Sequence, residues 1–336
     1  MDSLKKIYLY GIIIILICFL IPILGTIPFS KREKKEEEKV AIQNTIPESN
    51  YDYKTYNTIK VLHTKTNTIE ELKLDDYLYG VVSAEMPADF ELEALKAQAV
   101  VARTYTIYKI IHNENKHGEA AICDDSTCCQ AWISKDDRLA RWEEGLREEN
   151  WNKIVEAVNS TQGKIITYQG EPINAFFHSN SGGETEAPVN VWGGTGYPYL
   201  QSVQTSGEDA YSQYASSATF TKADLEAKVK EKYPDLVIDW NAQDCMQILD
   251  YTEGQRVKTL KIGNVNLSGV EARSIFGLRS ANFSFTIQGD QITFEVKGYG
   301  HGVGLSQTGA DSLAKQGNNY EQIIHHFYTD VEIVDM

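Results

Sequence analysis

The sequence predicts an α+β protein that follows an N-terminal transmembrane helix. Apolar residues recur at helical spacing mainly within residues 74–160, whereas short alternating segments bounded by turns dominate residues 163–336. Residues 7–27 are uncharged and strongly apolar, and about 20 helical residues suffice to cross a bilayer. We therefore expect a helical subdomain and a larger, mixed β-rich subdomain behind a membrane anchor.

The predicted anchor divides the chain into a tail (residues 1–6), the span, a linker (28–54) and a remainder (55–336). A cleaved signal peptide is the alternative, although its apolar region would be shorter and would end in small residues. Basic residues after the span favour a cytoplasmic remainder, whereas a first span behind a very short tail usually exports the rest of the chain. We expect a cytoplasmic N-terminus and an extracytoplasmic remainder.

Composition excludes several classes of function. The 336 residues include 32 Lys and Arg against 47 Asp and Glu, a net charge of −15, so nucleic acid is excluded as a partner because its phosphates would be repelled. Five cysteines are too few for a disulfide scaffold of this size. The mixed-charge block at residues 31–39 has no apolar face, which is typical of a solvated spacer.

The first half of the remainder combines a hairpin with helices. Two strand-like runs flank a turn at Asn67, and the next helix is expected to be capped by Asp75 or Asp76 and to end at Pro87. The other expected elements are strands over Thr58–Thr64 and Thr68–Leu74, helices over Glu91–Ile111 and Asn150–Ser160, and a polar, Cys-containing loop over 112–135.

The second half is richer in strands and glycine. A hairpin is expected across Gln169-Gly170, and a second one across Gly289-Asp290. The expected elements are strands over Lys164–Tyr168, Ile173–Phe177, Lys258–Ile262, Phe283–Gln288 and Ile292–Lys297, a helix over Phe220–Lys232, and a helix that begins near Gln307.

Glu85 is the most informative residue for chemistry. It follows Leu78, Val81 and Val82 by seven, four and three residues, so it projects from the apolar face of its helix. Burial raises the pKa of a carboxyl, which suits a general acid. A helix-end glutamate that turns outward to solvent is an equally good interpretation of this spacing. Arg103, on the next helix, either pairs with an anionic group or extends from an apolar surface to water.

The polar loop contains a candidate metal site. His117, Cys123 and Cys129 are separated by five residues each, and imidazole with thiolates is a ligand set that zinc prefers. Cys128, Glu119 and Asp124 are candidates for a fourth ligand. A disulfide or free thiols remain alternatives to a metal.

Two glycine-rich stretches are further candidate sites. The first contains His178, Ser179 and Ser181, and the second contains His301, Ser306 and Gln307. Glycines let a backbone approach a ligand closely, although simple turns use them as well. Neither stretch contains the G-x-S-x-G of a serine hydrolase or the G-K-[ST] ending of a phosphate loop.

Three blocks, in this order, resemble the stage II sporulation protein D family and its amidase-enhancer relatives. The blocks read YLYGVVSAEMPADFELEALKAQAVVARTY, FFHSNSGGETEAPVNVWGGTGYPYL and GYGHGVGLSQTGA. The resemblance covers about residues 55–335 and includes the N-terminal anchor. The Cys/His loop is not carried by every member of the family. It suggests a clostridial subgroup with a structural zinc.

The resemblance implies a membrane-anchored lytic transglycosylase that acts on peptidoglycan at the septal or engulfing membrane during sporulation. Such an enzyme cuts the β-1,4 bond between N-acetylmuramic acid and N-acetylglucosamine and leaves a 1,6-anhydro ring. It prefers glycan denuded by an amidase, stage II sporulation protein P, and works with stage II sporulation protein M. The family's catalytic acid matches Glu85, and no cofactor is needed for catalysis. Positions expected to line the cleft are Arg103, His178, Ser179, His301, Ser306 and Gln307.

A single carboxyl is consistent with this reaction. Most glycosidases need two carboxyls, but a group that first donates a proton and then removes one from the sugar's own C6 hydroxyl needs no second. Two other functions remain open at this point. One is a non-catalytic wall-binding scaffold that recruits or enhances an amidase, and the other is a zinc hydrolase centred on the Cys/His loop.

Overall fold

The structure, a computed structural model, describes residues 55–112 and 116–336. The predicted tail, membrane anchor and linker (residues 1–54) lie outside the described residues. Within the two described ranges, no helix combines the length and the apolar character that crossing a bilayer requires. The α+β class is confirmed, because helices and several small sheets both occur along the chain.

The helices are mostly short. They are α1 (Leu74–Glu85), α2 (Leu92–Ile111), α3 (Lys135–Arg141), α4 (Arg147–Asn159), α5 (Pro188–Trp192), α6 (Lys222–Lys232), α7 (Gly269–Phe276), α8 (Gln307–Lys315) and α9 (Tyr320–Phe327), with 3-10 turns at Glu144–Leu146 and Glu208–Ala210.

The strands form small sheets of two or three members, ordered β2-β1-β3, β10-β9-β8, β11-β12-β7, β13-β6 and β14-β4-β5. They are β1 (Thr58–His63), β2 (Thr68–Lys73), β3 (Ile122–Cys123), β4 (Lys164–Tyr168), β5 (Glu171–Pro172), β6 (Phe177–His178), β7 (Ala215–Thr221), β8 (Met246–Tyr251), β9 (Val257–Ile262), β10 (Val265–Ser268), β11 (Asn282–Gln288), β12 (Gln291–Lys297), β13 (Leu305–Ser306) and β14 (Glu332–Asp335).

Helix α1 follows the first hairpin directly and ends where the sequence predicts. Met86 is extended, because the residue before a proline is forced out of the helical region, so Glu85 is the last helical residue. The predicted capping by Asp75 or Asp76 is wrong. Lys73 occupies the N-cap position without a side-chain hydrogen bond, and both aspartates lie in the first turn, where a negative charge favours the helix dipole.

Apolar side chains form two clusters. The first unites α1, α2 and α4 with β4 and with the C-terminal helices α8 and α9. The second lies among α6, α7 and strands β8 to β12. The core of the helical part therefore includes the C-terminal end of the chain, and the cores do not divide near residue 160 as the sequence suggested.

Strand predictions in the second half are mostly confirmed. β9, β11 and β12 match the predicted runs to within one residue at each end, and the Gly289-Asp290 hairpin forms. The hairpin at Gln169-Gly170 also forms, but its second strand is only β5. After β5 the chain no longer pairs with β4, because the Asn174 N–H donates to the Tyr199 hydroxyl. The residues at the end of the predicted strand then pair with β13.

Candidate active site and metal cluster

Glu85 lies in a recess between α1, the polar loop and the start of α8. Its side chain is only partly accessible to solvent. The Ala131 N–H donates to Oε1 at 2.6 Å, and the Gln307 Nε2 donates to Oε2 at 3.2 Å. The side chain therefore points inward along the apolar face of α1, and the alternative of an outward-turned helix end is wrong.

Burial raises the pKa of the Glu85 carboxyl above its ordinary value, and the bonds from Ala131 and Gln307 lower it by a smaller amount. The net direction is upward, which favours the protonated carboxyl. The carboxylates nearest in sequence do not share the site. Asp89 is exposed, and the Glu91 N–H is bonded to the Asp311 carboxylate at 2.6 Å.

The two glycine-rich stretches meet and place Gln307 beside Glu85. β6 and β13 pair in parallel, with Ser306 opposite His178. The Ser306 hydroxyl also accepts from the Gly309 N–H and caps α8, so the helix begins at Gln307. The next N–H, that of Thr308, donates to the Ser179 carbonyl at 3.0 Å.

Glu208 holds both stretches together, although no sequence motif indicated it. This carboxylate is 1% exposed and accepts from hydroxyls and amides of both glycine-rich stretches. Burial alone would raise its pKa, but these hydrogen bonds hold the pKa below its ordinary value. Its donors are the Ser181, Ser306, Thr205 and Thr308 hydroxyls and the Ser181 and Gly183 N–H groups.

Two of the predicted substrate-contacting residues have structural roles instead. Arg103 is fully buried, and its guanidinium donates to the Val158, Thr161 and Lys164 carbonyls at 2.8–3.2 Å, where it closes the end of α4. Ser306 is also fully buried and donates to Glu208. A substrate cannot reach either side chain in this structure.

The two predicted histidines lie side by side, and Ser179 is partly exposed next to them. Their ring centroids are 5.7 Å apart. Burial lowers the pKa of His178 to about 3, and it lowers the pKa of His301 well below its ordinary value. Both imidazoles are therefore neutral at physiological pH. His178 Nδ1 donates to the Val303 carbonyl at 3.1 Å, and His301 Nδ1 accepts from the Val303 N–H at 3.1 Å.

The polar loop brings four potential metal ligands together. The donor atoms of His117, Cys123, Cys128 and Cys129 all lie within 4.8 Å of one another. The Cys129 Sγ is 3.4 Å from His117 Nε2 and 3.9 Å from the Cys128 Sγ. Neighbouring donors in a tetrahedral zinc site lie about 3.5–3.8 Å apart, given Zn–S and Zn–N bonds near 2.3 and 2.1 Å. The residues therefore fit a closed Cys₃His zinc site.

The other candidates for the fourth ligand are engaged elsewhere. The Glu119 carboxylate pairs with Lys60 at 3.2 Å, and the Asp124 carboxylate accepts from Thr64 and His63. Cys128 is the fourth residue of the cluster. The sulfur atoms are not joined in a disulfide. Burial disfavours the Cys129 thiolate and raises the pKa of that thiol to about 12, and a bound cation would stabilise the thiolate.

The same loop connects the cysteine cluster to Glu85. Gln130 follows Cys129 directly, and its amide donates to the Tyr77 hydroxyl at 2.9 Å and to the Thr106 hydroxyl at 3.0 Å. The next residue is Ala131, whose N–H holds Glu85. The cluster and the N–H that holds the carboxyl are therefore only two residues apart along the chain.

Comparisons with known proteins match the chain to one family. Residues 62–168 match the family described as stage II sporulation protein. The chain is 35% identical over 326 residues to stage II sporulation protein D of Bacillus subtilis (strain 168), which covers 94% of this chain and 91% of that protein. It is 36% identical over 278 residues to the protein of the same name from Bacillus amyloliquefaciens, covering 82% and 78%.

A further relative is the amidase enhancer of Bacillus subtilis (strain 168), 32% identical over 301 residues, which cover 75% of this chain and 39% of that protein. The chain is thus a sporulation protein that is similar in sequence to part of an amidase enhancer. It belongs to the stage II sporulation protein D family, as the three sequence blocks predicted.

Proposed function

We propose that the chain is a peptidoglycan lytic transglycosylase in which Glu85 is both the acid and the base. The observation that carries this proposal is the environment of Glu85. The carboxyl is recessed, has a raised pKa, and is held by two neutral donors with no second carboxylate among its hydrogen-bond partners. That environment suits a group that begins the reaction protonated.

The reaction needs no external water. Protonated Glu85 gives its hydrogen to the glycosidic oxygen as the bond from that oxygen to C1 of N-acetylmuramic acid breaks, so the oxygen leaves as the 4-hydroxyl of N-acetylglucosamine. The C6 hydroxyl of the same muramic acid attacks C1 and forms the 1,6-anhydro ring. Its proton passes to the Glu85 carboxylate, which restores the starting acid.

The two donors to Glu85 contribute at the moment of proton transfer. Hydrogen bonds from Ala131 and Gln307 favour the carboxylate, whereas burial favours the neutral acid. The opposing effects favour the protonated carboxyl at the start and still stabilise the charge that forms when the proton leaves. A carboxyl balanced in this way can act in both directions within one turnover.

The cysteine cluster has a structural role in this proposal. His117, Cys123, Cys128 and Cys129 would hold a Zn²⁺ ion that uses all four ligands, so no position is open for substrate. A bound zinc would supply folding free energy to the polar loop. The cluster then fixes the Ala131 N–H, and through it the orientation of Glu85. This arrangement does not support a zinc hydrolase.

The cellular setting is proposed from the sequence and the relatives. We propose that residues 7–27 anchor the chain with its N-terminus in the cytoplasm, so that residues 55–336 face peptidoglycan at the septal or engulfing membrane. Stage II sporulation proteins P and M would be its partners. The similarity to an amidase enhancer supports cooperation with a wall amidase.

A non-catalytic scaffold is the second candidate, and the same relative favours it because an enhancer need not cut glycan. Product analysis separates the two functions. The full chain is incubated with denuded glycan strands, and the products are identified by mass spectrometry. We expect 1,6-anhydro ends from the natural protein and a loss of at least about 1,000-fold in Glu85→Gln, since removing an essential acid costs several kcal/mol of barrier.

The control variant is Asp89→Asn, which removes an exposed carboxyl from the same segment. It should keep full activity, and both variants should unfold at the temperature of the natural protein or above. Glycan that is bound but never shortened would contradict the transglycosylase and favour the scaffold. Cleavage that survives in Glu85→Gln would contradict the assignment of the acid.

A further inference from the structure

A small cavity next to His301 is lined by two arginines and lies apart from the hydrogen bonds of Glu85. Its volume is about 20 Å³, enough for one water-sized group. Arg256 lies in the turn before β9, and Arg273 lies on α7. Both arginines are therefore on elements that pack in the second apolar cluster. His301 comes from the second glycine-rich stretch and forms part of the same wall.

Some N–H groups of these two arginines have no hydrogen-bond acceptor among the described residues. Arg256 is 3% exposed, and its terminal nitrogens donate to the Ser181, Glu184 and Gly254 carbonyls at 2.9–3.0 Å, but its Nε–H has no hydrogen-bond partner. Arg273 is half-buried and makes no hydrogen bond to any residue in the described ranges. A guanidinium that loses water without a partner is costly, so the half-buried Arg273 is prepared for an acceptor, whereas the Arg256 Nε–H is out of reach of a ligand.

Two arginines and one carboxylate, that of Glu186, line the cavity. No carboxylate lies within 4.0 Å of a nitrogen of either arginine in the part of the chain that the structure describes. Glu186 also lines the cavity, but both of its oxygens are occupied, one by the Ala187 N–H and the Asn190 amide and the other by the Thr252 hydroxyl. The carboxylates of Glu184, Glu186 and Glu208 act on Arg256 from nearby, so Arg273 is the cation of the cavity that lacks a carboxylate neighbour among the described residues.

An aromatic side chain lies at the edge of the cavity. Trp192 is 50% exposed, its ring centroid is 5.2 Å from that of His301, and it follows the cavity residues Asn190 and Val191 directly. Exposed aromatic rings provide a large apolar surface beside polar groups. A sugar ring can lie against Trp192 while one oxygen of a substituent enters the cavity. The cavity is too small for the ring itself.

We infer that this cavity is a carboxylate subsite that binds the lactyl group of an N-acetylmuramic acid residue through Arg273, with the sugar against Trp192. This inference rests on the proposed function for its choice of glycan. It gives the second apolar cluster a role in selecting substrate. A lactyl group that carries a peptide is an amide and lacks the charge, so the subsite favours denuded strands.

Binding by the uncleaving Glu85→Gln full chain tests the subsite directly. The probes are a denuded tetrasaccharide with free lactyl carboxylates, the same tetrasaccharide with those groups converted to carboxamides, a peptide-bearing form with stem carboxylates, and chitotetraose. We expect the free acid to bind at least about tenfold more tightly than the other three, the value expected for one charged hydrogen bond. Adding Arg273→Gln should bring the acid-to-carboxamide ratio close to one.

Arg279→Gln is the matched control, because Arg279 is exposed and its guanidinium lies over the Tyr299 ring outside the cavity. It should keep the tenfold ratio, and Arg273→Lys should keep part of it. Equal binding of acid and carboxamide by the Glu85→Gln parent would overturn the inference, whether or not any Arg273 variant folds. So would a ratio that survives Arg273→Gln, or a failure to bind any of the probes. Tighter binding of the peptide-bearing form would assign the subsite to stem carboxylates and contradict it.

The two proposals fail in different ways. If the natural chain releases 1,6-anhydro ends but shows no preference for the free acid, the transglycosylase stands and the subsite falls. If the preference is present but no anhydro ends appear, the chain is a glycan-binding protein with a carboxylate subsite, and the proposed function falls.

Discussion

Gln307 is the side chain whose removal reports most specifically on Glu85. Its amide lies 3.2 Å from the carboxylate and lowers the pKa of Glu85, in opposition to burial. Gln307→Met keeps the volume but removes the donor. The pKa of Glu85 should then rise further, so the protonated acid persists to higher pH.

The measurement is the pH dependence of anhydro-product formation. Because the reaction begins from the protonated acid, the alkaline limb of the profile should move to higher pH in Gln307→Met, and the maximal rate should fall as the carboxylate loses a donor. An unchanged limb, or one that moves to lower pH in a folded variant, would show that Gln307 does not act on the catalytic acid.

Single residues show how far the sequence predicts this site. The apolar spacing around Glu85 allowed both an inward and an outward carboxyl, and the structure shows the inward one. The spacing of His117, Cys123 and Cys129 indicated a cluster that the structure assembles with Cys128. Arg103 could not be interpreted from its sequence position, because a buried arginine on an apolar helix can bind a ligand or backbone carbonyls equally well. In the structure its guanidinium contacts carbonyls at the end of α4 and lies 3.9 Å from the Asp75 carboxylate.

At the level of elements, the polar loop contains both the proposed metal site and, two residues after Cys129, the Ala131 N–H that holds Glu85. Cys128→Ser should remove most of the bound zinc from the purified chain, lower the unfolding temperature by about 5 °C or more, and reduce activity by loosening the Ala131 N–H. Cys245→Ser is the control, since Cys245 is a buried thiol in the second apolar cluster.

Zinc content, thermal unfolding and glycan cleavage are measured for both variants and for Glu85→Gln. Glu85→Gln should retain its zinc and its stability while losing cleavage, which separates the metal from the chemistry. A Cys128→Ser protein with normal stability and normal cleavage would contradict the structural role. Zinc-dependent cleavage by Glu85→Gln would instead favour a metal-centred reaction.

Elements with a strong local signal were predicted well, and those defined by distant partners were not. Alanine-rich α2 and the turn at Gln169-Gly170 followed from local chemistry. Helix α3 was missed although Ser134 caps it, because no residue of the helix is buried and the sequence therefore shows no apolar face. Strand β6 pairs with a segment more than 120 residues away, and short-range periodicity contains no information about such a partner.

At the scale of the molecule, the buried Glu208 carboxylate joins the two glycine-rich stretches that complete the site. Glu208→Gln replaces an acceptor of six hydrogen bonds by an amide that cannot accept them all, and it should lower the free energy of unfolding by about 2–4 kcal/mol at neutral pH. Asp209→Asn, at the exposed next position, should have almost no effect.

The effect of Glu208→Gln should depend on pH in a defined direction. The pKa of Glu208 is lower in the folded chain than its ordinary value, so its stabilisation is present above the ordinary carboxyl pKa and is lost as the pH falls through the folded value. Urea unfolding at neutral and acidic pH measures this. A difference between the two proteins that grows on acidification would contradict the role of an ionised Glu208.

Long-range assembly is the part of the fold that the sequence does not reveal. Residues after β12 return to pack on α2, so the apolar core of the helical part is completed by the last helices of the chain. The sequence around Glu208 contains no motif, and its importance arises only when four hydroxyl-bearing residues converge on it. The site is therefore a product of the whole described fold, although its reacting group lies at the end of one helix.

The most direct test of the central claim is cleavage of denuded glycan by the full chain in water enriched in oxygen-18. If Glu85 transfers the proton and the C6 hydroxyl closes the ring, the new ends are 1,6-anhydro sugars that contain no labelled oxygen. New reducing ends that carry the label would show that water attacks C1, and would contradict the mechanism that we propose for this chain.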